Sequence, residues 1–303
     1  MKIPTLQALL CIQELGSIRA AAKQQNLSQP ALTAAVQQLE EELGAPLLVR
    51  TKQGVSFTHF GQAFLPHARL IVSEARRAQE EIAQLRGHWE GRLSFSTSPA
   101  IALSVLPLAL VAFAQKHPAV RVHCRDGLYP EVTPALRDGT LDFAITPARL
   151  LEVEADLVAE PMYHSDIVIV ANRSHPLSRA KRIADLIDAR WIHSSGPRGT
   201  GAVIEEVFTG LGLPAPQVGL VCESFLALPG IVARSDYLTT MPRRLFESNA
   251  HHAELCVVPV VEKLPSPTIC VLRRHDLPLT PAARELIGWI QHFARQGVLA
   301  GPA

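Results

Sequence analysis

Gln29, Thr33 and Gln37 stand four residues apart in a segment that opens on Ser28 and closes on Gly44. At a helical period this spacing lines one face with amide and hydroxyl groups, the side chains that read base edges through hydrogen bonds. On the other side Leu32, Ala35, Val36, Leu39 and Leu43 recur at the spacing of a buried stripe. Ser28 is an N-cap residue, and Pro30 fits the first helical turn. Upstream, Ser17 is placed to cap a shorter helix over residues 18–24, with Gln25 and Asn26 making the break and Leu27 turning inward. Two short helices meeting at a tight polar turn form the helix-turn-helix plan, with residues 28–43 offered to the major groove. A helical hairpin in an ordinary bundle would share the pattern, but two details favour DNA. Glu40, Glu41 and Glu42 fall at the far end of the second helix, where repulsion would turn that end away from phosphate. Residues 46–50 and 55–57 then read as two strands around Lys52, Gln53 and Gly54, a small basic wing.

The formal net charge is only +1 over 303 residues, so no broad field attracts nucleic acid. Affinity must rest on a few placed cations, and Arg19, Lys23, Arg50 and Lys52 are the candidates near the motif. For Lys23 a solvated surface charge is the simpler role. Gln29, Pro30 and Thr33 are expected at bases and Ser17 and Arg50 at phosphate, with Ser28 and Gln37 also among the DNA-binding residues.

A second set of polar groups lies in the C-terminal half. Ser96, Thr97 and Ser98 precede Pro99, giving three hydroxyls and a helix start whose next free N–H groups belong to Ala100 and Ile101. Gly199, Thr200 and Gly201 open another helix, and Ser224 is placed to cap a third, followed by Phe225. Each serine alone is an ordinary N-cap. Together, at equivalent strand ends, they suit an anion such as a carboxylate or sulfonate, its ring resting on Ile101 and Phe225.

The elements that must hold these groups are legible in outline. From Thr58 the pattern becomes a long helix in which Phe64, Ala68, Ile71, Ala75, Ala78, Ile82 and Leu85 form a heptad seam, which predicts a dimerising linker. Pro66 should kink that helix or delay its regular start. From about residue 91 short apolar strands alternate with helices, which predicts a parallel-rich sheet covered on both faces. One of these helices, over residues 99–115, is apolar on most of its surface, which suits either a contact with a second subunit as well as the sheet or a fully buried core helix.

The run GSIRAAAKQQNLSQPALTAAVQQLEEELGAPLLVR, followed by VSFTHFG, resembles the N-terminal signature of LysR-type transcriptional regulators, and LRDGTLDFAI, HPL and LTPAAREL extend the resemblance over most of the chain. It departs at Gln25, where the family usually has an apolar residue, at Leu48, where Phe is usual, and at Thr33, where Ser is common. Gln25 is expected to cost some packing between the two helices. The resemblance implies an α/β protein in three parts. A winged helix-turn-helix would occupy residues 1–58, and a linker and dimerisation helix residues 59–90. An effector domain like the periplasmic binding proteins would fill residues 91–303, with one subdomain at 91–162 and 266–303 and the other at 163–265. It implies promoter DNA and a small-molecule effector as partners, a homotetramer, and RNA polymerase as a candidate contact. It places further effector contacts near Tyr129, Thr146, Ser194 and Ser195. LRDGTLDFA, CESFLALPG, LTTMPR and VLRRHDLP look most like regulators of aromatic sulfonate degradation, with toluenesulfonate as the type.

Other classes find little support. No G-x-S-x-G elbow, Walker A motif or paired-carboxylate signature is present, so no enzyme is expected. Cys11, Cys124, Cys222, Cys256 and Cys270 are scattered, and the histidines lack metal spacing, so neither metal nor cofactor is expected. The scattered, odd-numbered cysteines point to reduced thiols in a cytoplasmic protein, residues 99–114 are too short to span a bilayer, and no signal peptide is expected. The remaining alternative is a small-molecule binding protein whose helix-turn-helix is vestigial.

Overall fold

The computed structural model describes residues 1–51, 54–194, 203–248 and 250–296. Helices α1 (Ile3–Leu15), α2 (Ile18–Gln24) and α3 (Gln29–Leu43) precede the antiparallel pair β1 (Leu48–Thr51) and β2 (Gly54–Phe57). Leu6, Leu9 and Ile12 of α1, Ala21 and Ala22 of α2, and Leu32, Val36 and Leu39 of α3 close into one core with Leu47. The turn between α2 and α3 is made by Asn26, which lies in the left-handed region at φ 55, a conformation Asn tolerates better than most residues. That turn carries Leu27 outward rather than inward, leaving it 45% exposed. Leu43, at the end of α3, is exposed too, so the buried stripe stops at Leu39.

Helix α4 (His59–Leu85) runs for 27 residues, about 40 Å. It starts on Thr58, whose hydroxyl accepts from the Gly61 N–H at 3.0 Å, so Pro66 falls within a helix already under way and does not delay its start. The heptad seam divides. Ala68 is buried in the N-terminal core, and Phe64 and Ile71 pack on it beside Leu65. Ala78, Ile82 and Leu85 stay exposed, the last two at 59% and 66%.

A different stripe of α4, made of Ser73, Arg77 and Gln84, is buried against the C-terminal half. Ser73 Oγ donates to the Gly139 carbonyl at 2.8 Å. Gly139 has φ +72, and a Cβ there would stand 3.0 Å from Ser73 Cβ, so both conformation and clearance call for glycine. Arg77 donates to the Pro278 carbonyl at 3.0 Å and lies 3.6 Å from the Asp142 carboxylate. Gln84 Oε1 accepts from Ala282 N at 3.0 Å, and its side-chain amide Nε2 donates to the Glu90 carbonyl at 3.2 Å. Arg76 and Glu80 bracket the backbone of Arg92, one at its carbonyl and the other at its N–H.

The C-terminal half contains two five-stranded sheets. The first is formed by β3 (Gly91–Thr97), β4 (Val120–Asp126), β5 (Phe143–Pro147), β6 (Leu157–His164) and a returning strand, β12 (Thr268–Arg274), in the order β4-β3-β5-β12-β6. The second is formed by β7 (Ile167–Asn172), β8 (Arg190–His193), β9 (Gln217–Val221), β10 (Tyr237–Pro242) and β11 (Leu255–Val257), in the order β11-β7-β10-β8-β9. Each is parallel through three neighbouring strands and antiparallel beyond them.

Helices α5 (Pro99–Ala102), α6 (Leu106–Lys116), α7 (Thr133–Arg137) and α11 (Pro281–Gln296) go with the first sheet, and α8 (Val203–Gly210), α9 (Leu228–Ala233) and α10 (Arg243–Ser248) with the second. Alternate residues of one strand serve opposite cores. Ile269 and Val271 join one cluster and Cys270 and Leu272 another, while Val168 and Val170 are separated from Ile169 and Ala171 in the same way. Continuous apolar strands are the signature of sheets covered on both faces.

Several elements differ from expectation. The helix expected over 99–115 is two helices, α5 and α6. Pro107 has no N–H for the carbonyl four residues back, and its ring would clash there, while Ser104 Oγ turns back to the Ala100 carbonyl at 2.6 Å. The strand β6 has no counterpart in the sequence reading, because Glu160 and Pro161 interrupt its apolar pattern. It lies at a sheet edge with a register shift opposite Pro161, where proline is tolerated. The subdomain boundary expected at 162 falls inside this strand. The helix expected near 184–188 is one 3-10 turn, Ile183–Leu186, and α10 was not foreseen.

The Arg77–Asp142 pair is buried on both sides. Burial pushes the Asp142 carboxyl up from its ordinary value, against the Ser94 N–H and the Arg77 guanidinium, which hold it down. Arg77→Met should strand that carboxylate and cost about 3–5 kcal/mol in urea unfolding, and adding Asp142→Leu should recover part of the loss. Single losses that simply add would show that the two side chains are not coupled.

Candidate DNA-reading and effector sites

Both helices of the N-terminal motif are capped by serine. Ser17 Oγ accepts from Ala20 N and Ser28 Oγ from Ala31 N, each at 3.3 Å. The caps fix α3 so that Gln29, Pro30 and Gln37 are exposed and Thr33 half-exposed along one side. Thr33 Oγ1 donates to the Gln29 carbonyl at 2.9 Å, which orients its hydroxyl and leaves the oxygen able to accept. Arg19 and Lys23 are exposed on α2. In the wing the Arg50 backbone stands opposite Val55, and Lys52 lies outside the described residues. The acidic run is not uniformly turned to solvent. Glu42 pairs with the N-terminal ammonium, and the Glu40 carboxylate accepts from Leu47 N and Leu48 N at 2.6 and 2.9 Å. From sequence alone Glu40 reads as an electrostatic guard, because its neighbours are acidic and its backbone partners lie beyond Gly44.

A cleft opens where the chain crosses between the two sheets. Ser98, Pro99 and Ala100 from the end of β3, Leu128 from beyond β4, Pro147 at the end of β5, and Ile269 form one wall. Ile167, Phe225 and Pro242 form the other, and Ser165 and Pro267 lie in the two crossing segments. The C-terminal ends of three parallel strands thus converge on it, the position at which open α/β sheets take ligands. Its walls are apolar, with the polar side chains of Ser98 and Ser165 among them. Ser98 is 2% exposed, and its hydroxyl has no hydrogen-bond partner in the protein.

The other expected effector contacts divide. Ser96 and Thr97 are fully buried behind Ser98, and their hydroxyls also lack partners. Thr146 Oγ1 accepts from Tyr129 N at 3.2 Å, and Tyr129 Oη donates to the Glu152 carbonyl at 2.8 Å, so these two brace the turn beside the cleft. Ser194 is buried at the end of β8, and Ser195 and Thr200 lie outside the described residues. Two expectations are corrected. Ile101 points into the core of the first sheet, because the short α5 turns it away from the cleft. Ser224 is exposed and accepts from Ala227 N at 3.3 Å, closing the turn ahead of α9, whose N-cap position is Ala227. Ser98 occupies the N-cap position of α5 without making the side-chain bond expected of it. Leu128, Pro147, Ser165, Ile167, Pro242, Pro267 and Ile269 were missed, since only the return of the chain through two crossings brings them together.

The chemistry elsewhere is quiet. The five cysteines are free, and burial raises the thiols of Cys11, Cys256 and Cys270 and, with help from Asp126, pushes Cys124 up to about 11. Such thiols stay protonated and poorly reactive near neutrality. Among the described residues no cluster of three His, Cys, Asp or Glu could hold a metal ion, and no helix is long and apolar enough to cross a membrane.

Two family models match the chain. "Bacterial regulatory helix-turn-helix protein, lysR family" covers residues 3–62, and "LysR substrate binding domain" covers residues 86–295. The SDS degradation transcriptional activation protein of a Pseudomonas species is 30% identical, over 94% of each chain. The transcriptional regulator TdcA of Escherichia coli K12 is 27% identical, over 96% of this chain and 94% of its own. The structure of full-length CbnR complexed with its target DNA superposes with a TM-score of 0.70 at 21% identity, over 97% of this chain and all of that one. A recognition helix with its wing, carried ahead of a two-sheet effector-binding domain, is thus the architecture of a known class, and the chain belongs to the LysR family of DNA-binding transcriptional regulators.

Proposed function

We propose that this regulator reads promoter DNA with Gln29, Pro30, Thr33 and Gln37 at bases and with Ser17, Arg19, Ser28, Arg50 and Lys52 along the backbone, and that it answers to a small aromatic acid bound in the inter-sheet cleft. The observation that carries the second half is the cleft itself, with apolar walls closing on the unpartnered hydroxyl of Ser98. Hydrophobic walls with few polar groups suit a ring. A sulfonate or carboxylate on that ring would take its hydrogen bonds from Ser98 and neighbouring N–H groups. The relative named for SDS degradation supports an organic sulfur acid as the class.

In this reading the protein works in the cytoplasm on DNA near its own gene, with RNA polymerase as a candidate contact. It dimerises through the exposed part of the α4 seam, and a second contact through α6, where Leu108 and Val111 are exposed, makes a tetramer. A two-fold pair of reading heads matches a two-fold site.

Three outcomes are expected. Thr33→Ala should cost about 1–3 kcal/mol on the cognate site and little on random DNA, whereas Arg50→Ala should weaken both and flatten the salt dependence. Equal losses on both DNAs would remove Thr33 from base readout. Ile82→Glu with Leu85→Glu, residues exposed in the single chain, should lower the assembly state seen in sedimentation, and an unchanged state would exclude this seam. Titration calorimetry should give binding of toluenesulfonate or benzoate but not of inorganic sulfate, lost on Ser98→Ala with Phe225→Ala. Binding that survives both changes would place the site elsewhere, and equal affinity for sulfate would remove the aromatic assignment.

A further inference from the structure

Residues 46–48 are held from α3, from the start of α4 and from the N-terminal core. From α3, one oxygen of Glu40 accepts two N–H groups, Leu47 at 2.6 Å and Leu48 at 2.9 Å. From the start of α4, Thr58 N donates to the Leu47 carbonyl at 2.9 Å and Thr58 Oγ1 donates to the Pro46 carbonyl at 2.6 Å. Gly61 lies so close that a Cβ there would stand 2.2 Å from the Leu47 carbonyl oxygen, which no side chain could accommodate without displacing backbone. Leu47 itself is anchored in the N-terminal core at 1% exposure.

The wing depends on this junction. Its two strands have four residues each, and an isolated two-stranded ribbon of that size has little stability of its own. Its direction relative to α3 is set by what holds its base, together with the packing of Leu48, Val55 and Phe57 on the N-terminal core. On the α3 side the side-chain holder is Glu40, half-buried three residues before the helix ends at Leu43. A carboxylate accepting two backbone N–H groups is a charge-assisted arrangement, stronger and more directional than a neutral pair. Its charge is spent inward, so it does little of the repelling that its place in an acidic run suggests.

We infer that Glu40 is a positioning residue for DNA binding. Its carboxylate fixes the base of the wing on the recognition helix and so sets where the wing's cations meet the DNA backbone. The inference rests on the reading that α3 and the wing both touch DNA. Because α4 starts on the same three residues, the junction also fixes the linker helix relative to both reading elements.

The test uses the full chain and a duplex that the wild-type protein selects from a random library. Glu40→Ala should weaken binding about tenfold and lower the slope of log K against log salt by about one for each wing cation that leaves the backbone. In a hydroxyl-radical footprint it should lose protection at the flanks of each half-site and keep it at the centre. Glu40→Gln retains an oxygen that can accept the same two N–H groups, and should stay within about twofold of wild type with its flanks protected. Hydrogen exchange at Leu47 and Leu48 should quicken in the alanine variant and not in the glutamine one.

Loss of central and flanking protection together, at an unchanged salt slope, would mean that Glu40→Ala only destabilises the unit, and would overturn the inference. So would a Glu40→Gln variant that behaves like Glu40→Ala, since the two N–H bonds would then not be what matters. Arg50→Ala with Lys52→Ala separates this failure from failure of the reading beneath. If that variant loses the flanks while Glu40→Ala keeps them, the wing touches DNA and the inference alone falls. If it leaves slope and flanks unchanged, the wing is not on the DNA and both fall.

Discussion

Helix α4 has to satisfy two neighbours at once, and much of the molecule is arranged around that requirement. Its first turns bury Leu65 and Ala68 in the core of the DNA-reading unit. Later turns bury Ser73, Arg77 and Gln84 against the effector domain. The two attachments differ in kind. The first is apolar and continuous with a core, so removing it would expose surface that water rejects. The second is made of hydrogen bonds to carbonyls, a helix start and one buried ion pair. Polar groups can exchange protein partners for water at a small net cost if both sides become exposed. The first turns of α4 are thus part of the core of the DNA-reading unit, and the effector domain packs on later turns of the same helix.

That division leaves the exposed part of the α4 seam available. A helix hydrophobic on one side and buried on two others would have no exit for a dimer contact, but Ala78, Ile82 and Leu85 point away from both neighbours. The seam seen in the sequence was therefore three things: a core contribution at Ala68, a core edge at Phe64 and Ile71, and an unpartnered stretch beyond. Periodicity registers that a residue is apolar on a given face. It does not register which body covers that face.

The same limit explains what the sequence told and what it withheld elsewhere. Ser17 and Ser28 were legible because a cap is a local device, with donor and acceptor three residues apart. The wing was legible because its strands pair across a short connection. Glu40 was misread because its partners lie seven and eight residues away, past the end of its helix, and nothing in an acidic run distinguishes the carboxylate that turns inward. In the effector half Ser98 and Phe225 were found because each sits at a strand-to-helix turn, where polar and aromatic residues stand out locally. Pro242, Pro267 and Ser165 reach the same cleft only through the double crossing between sheets. Ile101 failed for a smaller reason, since the break at residues 103–105 changes the direction in which every side chain of that segment points.

The first sheet connects the two places where the effector domain meets something else. Strand β3 is bonded at its start to Arg76 and Glu80 of α4, through Arg92, and runs at its other end into Ser98 at the cleft. Strand β5 begins beside Asp142, which faces Arg77, and ends on Pro147 in the cleft wall. The two strands are parallel neighbours with Phe95 stacked on Phe143 at 5.0 Å, so they form a stiff plate between linker and cleft. A stiff plate cannot relay a change of shape along itself, but it can be turned as a unit. The opposite wall, with Ile167, Phe225 and Pro242, belongs to the second sheet and is joined to the plate by two crossing segments. A ligand that draws the walls together would move one sheet relative to the other, and thereby relative to α4, without deforming either. It could do so only to the extent that it binds the closed arrangement more tightly than the open one. On this geometry such a response would depend on the crossing segments at Ser165 and Pro267, which line the cleft and also join the two sheets.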